Sequence, residues 1–245
     1  MIQWLRSLFF NFQIYVVIAL TGIVMFPYAL VSRNGARKAC LFVCNWVRWT
    51  APWMVGLKTE IRGTPPKGEA LIVAKHQSFL DVFLIFGALP AGKFIMKRIL
   101  MYSPIVGQYG MRIGCVPVDR GKRGAAIKKM VSDVEKGAAD PGQLIIYAQG
   151  TRIAPGVKAP YKVGSAVLYK QLEQTVYPVA TNVGLFWPKR GILRKPGLAV
   201  VEFLDPIEPG MDQDAFLAHL EDVVETASNN LMREAGFDPD APVTE

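Results

Sequence analysis

Apolar residues fill the start of this chain without any short period. Between Arg6 and Arg33 lie 26 residues with no charge, including FFNFQIYVVIALTGIVMFPYALV. As a helix that run extends about 39 Å at 1.5 Å per residue, longer than the hydrocarbon core of a bilayer requires. A second apolar stretch, 39–57, is broken only by Arg48, and Pro27 with the Asn34-Gly35 pair marks a turn between the two. Two geometries follow: one helix that spans the membrane, or a two-helix hairpin seated in one leaflet. A secretory signal fits less well, because only Arg6 precedes the apolar run and no small-x-small cleavage site follows it. Arg33, Arg37 and Lys38 outnumber Arg6 across the segment, which predicts that the bulk of the chain is cytoplasmic.

After residue 58 the pattern changes to short apolar runs alternating with longer amphipathic ones. Strands are predicted at 69–74, 93–96, 115–118, 143–148, 176–183 and 199–204, with helices at 79–89, 123–136 and 163–171. This alternation predicts an α/β fold: a mostly parallel central sheet flanked by helices, preceded by an N-terminal membrane helix or two-helix membrane motif. Phe216, Leu220, Val223, Ala227 and Leu231 recur at helical spacing, with Asp212 placed to cap that helix and Gly236 to stop it. The expected organisation is a membrane-anchoring segment over 1–57, a catalytic domain over 58–236 and a disordered tail over 237–245.

Charge narrows the partners. From Glu202 to Glu245 there are twelve acidic residues and one basic residue, Arg233. The other 201 residues carry 27 basic against 8 acidic side chains, a balance of +19 that attracts phosphates. With no nucleic-acid-binding signature present, lipid is the expected source and nucleic acid is not a partner. Cys40, Cys44 and Cys115 form an odd, scattered set that predicts buried thiols rather than bridges or a metal site.

Two short clusters carry the candidate chemistry. His76 follows the run LIVA, and Ser78 is a good helix N-cap, so Asp81 falls in the first helical turn within reach of the imidazole. A carboxylate there fixes the tautomer and leaves the other ring nitrogen to take a proton. Ser78 and Asp81 also fit a Ser-x-x-Asp capping box by themselves. In Tyr147-Ala148-Gln149-Gly150-Thr151-Arg152, Gly150 permits close backbone approach, while Thr151 and Arg152 offer a hydroxyl and a fork for phosphate oxygens. An ordinary strand-ending turn explains the same residues. Arg120 ends another run, Val118-Asp119-Arg120, within a strongly basic stretch.

His76 to Asp81 resembles the His-any-four-Asp motif of the glycerolipid acyltransferases, specifically the 1-acylglycerol-3-phosphate acyltransferase branch. Gly114 to Arg120 resembles that family's second motif, whose terminal arginine helps bind phosphate. Tyr147 to Arg152 resembles the third, usually Phe-Pro-Glu-Gly-Thr-Arg, and Val176-Tyr177-Pro178-Val179-Ala180 the fourth. The resemblance covers about residues 58–205, and four motifs in order are far more specific than one.

The resemblance implies a membrane-bound acyltransferase in which His76, oriented by Asp81, activates the sn-2 hydroxyl of 1-acylglycerol-3-phosphate. Acyl-CoA or acyl-carrier protein is the donor, membrane lipids surround the enzyme, and no metal or cofactor is expected. Arg120, Gln149, Gly150, Thr151 and Arg152 are the expected acceptor-binding residues. Two departures stand out. Ala148 and Gln149 replace the usual proline and glutamate, which raises another lysolipid, such as a lyso-ornithine lipid, or a catalytically silent lipid-binding protein, as alternatives. Lys75 replaces a common asparagine and adds a positive charge beside the base, which disfavours the imidazolium.

Overall fold

The computed structural model describes residues 1–119, 132 and 141–241. The N-terminal apolar region forms α1 (Ile2–Val24), a short α2 (Phe26–Val31) and α3 (Arg33–Val55). Pro27 sits in the first turn of α2, where its missing N–H costs nothing. Ser32 then caps α3, accepting a hydrogen bond from the Gly35 amide at 3.4 Å. A Cβ at Gly35 would stand 2.7 Å from the Tyr28 carbonyl oxygen, so the tight α2–α3 corner requires glycine there. α1 and α3 run antiparallel: Gln3 donates to the Val55 carbonyl (2.9 Å), Arg6 to that of Met54 (2.6 Å), and Trp46 to the Gln13 side chain (2.6 Å). The two apolar stretches therefore pack as an antiparallel helical hairpin. Among the described residues α1 alone is long and apolar enough to cross a membrane.

Among the described residues seven strands follow: β1 (Leu57–Arg62), β2 (Ala70–Ala74), β3 (Lys93–Lys97), β4 (Val116–Val118), β5 (Gln143–Tyr147), β6 (Val176–Thr181) and β7 (Gly197–Phe203). Their order is β1-β7-β6-β2-β5-β3-β4, and every pairing is parallel except β6 with β7. The expected strands all form, with ends displaced by one or two residues. β1 was missed because its LKTEIR sequence is half polar. It is an edge strand whose Arg62 pairs with Glu60 and with Glu234 of the C-terminal helix.

The remaining helices are α4 (Leu80–Ala88), α5 (Val106–Arg112), α6 (Gly164–Leu172) and α7 (Gln213–Glu234). On one face of the sheet Ala70, Ile72, Ala74 and Ile145 pack with α1, α3 and α4; on the other Leu71, Val73 and Leu144 pack with α6 and α7. Strand alternation explains this division. Asp212 caps α7 as expected, accepting from the Asp214 and Ala215 amides at 3.0 Å, and Gly236 takes the left-handed conformation after it. The buried stripe of α7 passes through Val224 and Ser228 rather than Val223 and Ala227. Ser228 earns its place by accepting the Thr181 amide hydrogen at 3.2 Å.

The tail expected to be disordered from Phe237 is ordered as far as it is described. Asp240 pairs with Arg233 at 2.6 Å, and the Phe237 ring lies beside Gly156. Arg120 and most of the helix expected at 123–136 lie outside the described residues.

Candidate active site

The parity of β2 decides where its last residues point. Ala70, Ile72 and Ala74 face the hairpin, so the chain continues with His76 on that side and Lys75 on the other. β2 and β5 are neighbours, with Ala74 opposite Tyr147, which brings the two sequence clusters to one carboxyl edge of the sheet. From there β2 leads to β3 on one side and β5 to β6 on the other. Ligands in α/β sheets bind at such a switch of direction. The Ile153 amide donates to the His76 carbonyl at 2.8 Å and ties the clusters together.

His76 Nδ1 donates to Asp81 Oδ1 at 2.9 Å. Asp81 is fully buried, and its Oδ2 accepts the Gln77 and Ser78 amide hydrogens, both at 2.9 Å. The capping box and the imidazole partner are alternatives on spacing alone; the carboxylate partners the imidazole through one oxygen and the two turn amides through the other, without forming the full box. Ser78 is not the N-cap residue itself. Phe79 holds that position, and Ser78 Oγ instead accepts the Leu80 amide hydrogen at 3.1 Å.

Tyr147 supplies what sequence reasoning missed. Its ring stacks on the imidazole at 3.8 Å between centroids and 14° between planes, and its hydroxyl donates to Asp81 Oδ1 at 3.0 Å. Burial first, then the Asp81 charge and hydrogen bond, holds the phenol pKa well above its ordinary value, so the hydroxyl stays a donor. The one available signal was a tyrosine where the resembling motif usually has phenylalanine. Tyr147→Phe keeps the stack and removes the donor. It is expected to lower kcat about tenfold, about 1.4 kcal/mol, with both KM values unchanged. Steady-state kinetics check this, and an unchanged kcat would reduce the hydroxyl to packing.

The Lys75 side chain does not stand beside the His76 ring as expected. Its ammonium is buried on the opposite face of the sheet and pairs there with Glu225 of α7, which also accepts from the Tyr161 hydroxyl at 3.1 Å. The added charge is neutralised where it stands. Gln149 is another correction. It is buried, donates to the Ala159 carbonyl at 3.2 Å and does not line the cavity beside His76.

That cavity, about 530 Å³, lies between the hairpin and the sheet. Its apolar wall includes Ile18 and Val43 from the hairpin, Phe83 and Phe86 from α4, and Met96 and Ile113 beyond. His76, Lys97, Thr151, Arg152 and Lys189 also line it. Thr151 and Arg152 are therefore brought to His76. Gly150 does not line the cavity. It forms the turn, at φ +67°, that turns the chain toward them. Lys162 crosses that turn, its Nζ 3.2 Å from where a Gly150 Cβ would stand. An imidazole fixed at Nδ1 and without a partner at Nε2 among the described residues, beside an apolar cavity with basic groups on its wall, suits proton removal from a lipid hydroxyl.

Residues 58–182 match the sequence profile of the family described as Acyltransferase. The 1-acyl-sn-glycerol-3-phosphate acyltransferase of Pseudomonas aeruginosa is 27% identical over 201 residues, 80% of this chain and 78% of that one. The enzyme of that name from Limnanthes alba is 28% identical over 158 residues, 63% of this chain and 56% of its own length. The crystal structure of the 1-acyl-sn-glycerophosphate acyltransferase of Thermotoga maritima superposes with a TM-score of 0.75 at 22% identity, covering 94% of this chain and 97% of that one. The last comparison establishes a shared fold.

Proposed function

The chain belongs to the acyltransferase family, and from that premise we propose that it moves a fatty acyl group from a thioester donor to the sn-2 hydroxyl of 1-acylglycerol-3-phosphate. The observation that carries this reading is the His76–Asp81 pair, closed at 2.9 Å, on the wall of an apolar cavity that also presents Arg152. His76 Nε2 takes the acceptor's hydroxyl proton as the oxygen attacks the thioester carbonyl. The C–S bond breaks, and the imidazolium returns the proton to the leaving thiolate. Asp81 stabilises the imidazolium between these steps. Acyl-CoA or acyl-carrier protein supplies the thioester, the apolar cavity takes an acyl chain, and Arg152 with Lys189 holds the acceptor phosphate.

The docked hairpin supports seating in one leaflet, and the excess of Arg33, Arg37 and Lys38 over Arg6 supports the cytoplasmic face. α1 is held to the domain near both ends, by Ser7 against Arg194 (2.9 Å) and by the Tyr109 hydroxyl on the Gly22 carbonyl (2.9 Å). A helix docked lengthwise in this way is not free to cross a bilayer apart from its domain. Its outer face, including Leu5, Leu8, Phe9, Phe12 and Tyr15, is exposed and apolar.

The test is product analysis with purified protein, an acyl thioester and a panel of lysolipids. Lysophosphatidic acid should give phosphatidic acid and one free thiol for each product molecule. Acylation of a lyso-ornithine lipid in its place would transfer the proposal to that acceptor, and no transfer to any acceptor would leave a lipid-binding protein.

A further inference from the structure

The segment from Phe186 to Lys195 is a loop closed at its base, with the side chains of Ile192 and Leu193 exposed at its tip. The Lys195 amide donates to the Phe186 carbonyl at 2.8 Å and shuts its base. Arg194 folds inward: its Nη1 donates to the Gly191 and Leu193 carbonyls at 3.1 and 3.2 Å, and its guanidinium lies 4.4 Å over the Trp187 ring. Gly191, at φ +87°, makes the reversal. The arginine thus braces the turn from inside, while Ile192 and Leu193 stay exposed on the outside, each at 38%. Lys189 and Arg190 are exposed on one side of that tip and Lys195 on the other, and no acidic residue occurs between Glu173 and Glu202.

The loop is also welded to the hairpin. Asn11 donates to the Ile192 carbonyl at 2.8 Å, Gln3 to the Arg194 carbonyl at 2.8 Å, and the Arg194 amide to Ser7 Oγ at 2.9 Å. Its apolar tip is therefore continuous with the exposed apolar face of α1. Two aliphatic side chains between cations suit acyl chains below a row of anionic headgroups; an acidic protein would match the cations and leave the tip in water.

We propose that this loop is a second membrane-contacting element, a wedge that inserts Ile192 and Leu193 into an anionic bilayer with Arg190 and Lys195 at the headgroups. The inference rests on the reading that the hairpin lies in a leaflet. Lys189, in the same loop, lines the cavity and accepts a hydrogen bond from Arg152 through its carbonyl, so the wedge sets the cavity's phosphate end at headgroup depth.

The experiment places an environment-sensitive fluorescent amino acid at position 192 of the full chain and adds vesicles of phosphatidylcholine with or without phosphatidylglycerol. Sedimentation through carbonate reports the hairpin separately. A blue shift, with quenching by lipids brominated high in the acyl chain and greater with phosphatidylglycerol, is the expected result. The pair Arg190→Glu and Lys195→Glu should abolish the shift while the protein still sediments. Water-like emission from sedimented protein would overturn the wedge alone, and protein left in the supernatant would overturn the leaflet reading with it. A blue shift produced by an acidic acyl-carrier protein without vesicles would assign the loop to a protein partner and also overturn the wedge.

Discussion

Alanine at position 76 is expected to lower kcat by about 10²- to 10⁴-fold, the range that a positioned general base contributes. The structure makes this a clean test. The hydrogen bond from the His76 side chain goes to Asp81, and Asp81 keeps three donors without it: the Gln77 and Ser78 amides and the Tyr147 hydroxyl. The turn should therefore survive, and circular dichroism and membrane sedimentation should match the wild type. Asp81→Asn tests the same unit differently. With its carbonyl held by the two amides, the asparagine would aim its NH₂ at His76 Nδ1 and drive the ring proton onto Nε2. The nitrogen needed as base would be blocked, with a loss comparable to that of His76 itself. If His76→Ala retains more than about a tenth of the wild-type rate, the general-base role is wrong.

The second large effect belongs to Arg152. Alanine there should raise the acceptor KM about 10- to 150-fold, equivalent to losing a charge-assisted hydrogen bond of about 1.5–3 kcal/mol, with little change in the donor KM. Among the described residues its guanidinium makes a single long bond, 3.4 Å to the Lys189 carbonyl, so little of the fold depends on it. Part of the loss should appear in kcat if the phosphate grip also aligns the hydroxyl with His76. Initial rates with each substrate varied in turn separate the two. A rise in donor KM alone would move Arg152 to the thioester side.

Much of this arrangement was legible in the sequence because it depends on local periodicity. The apolar run LIVA marks a strand that ends just before His76, and Asp212 and Gly236 bracket a helix by capping chemistry alone. What stayed hidden depends on residues far apart in the chain. The charge of Lys75 is cancelled by Glu225, 150 positions later, on a helix whose docking no local pattern reveals. Gln149 looked like part of an acceptor cradle because Thr151 and Arg152, which line the cavity, follow it closely in the chain. Its direction is set by the Ala159 carbonyl on the loop beyond, so restoring a glutamate there would replace a buried donor with a carboxylate facing a carbonyl. That exchange therefore reports loop packing rather than head-group choice. The docking of α1 on the domain, through Gln3, Ser7 and Gly22, was likewise invisible in the local pattern.

The base and its carboxylate have a consequence for how such a protein diversifies. Three of the four donors to Asp81 come from residues 76, 77 and 78, so all of the proposed proton-handling unit except Tyr147 lies in six consecutive positions. The polar groups proposed to hold the acceptor, Thr151, Arg152 and Lys189, come from two separate loops that, among the described residues, make no bond to that carboxylate. Selection can therefore revise the recognition loops one substitution at a time while the reactive segment is inherited whole. Descendants of such a chain should differ in what they acylate long before they differ in how.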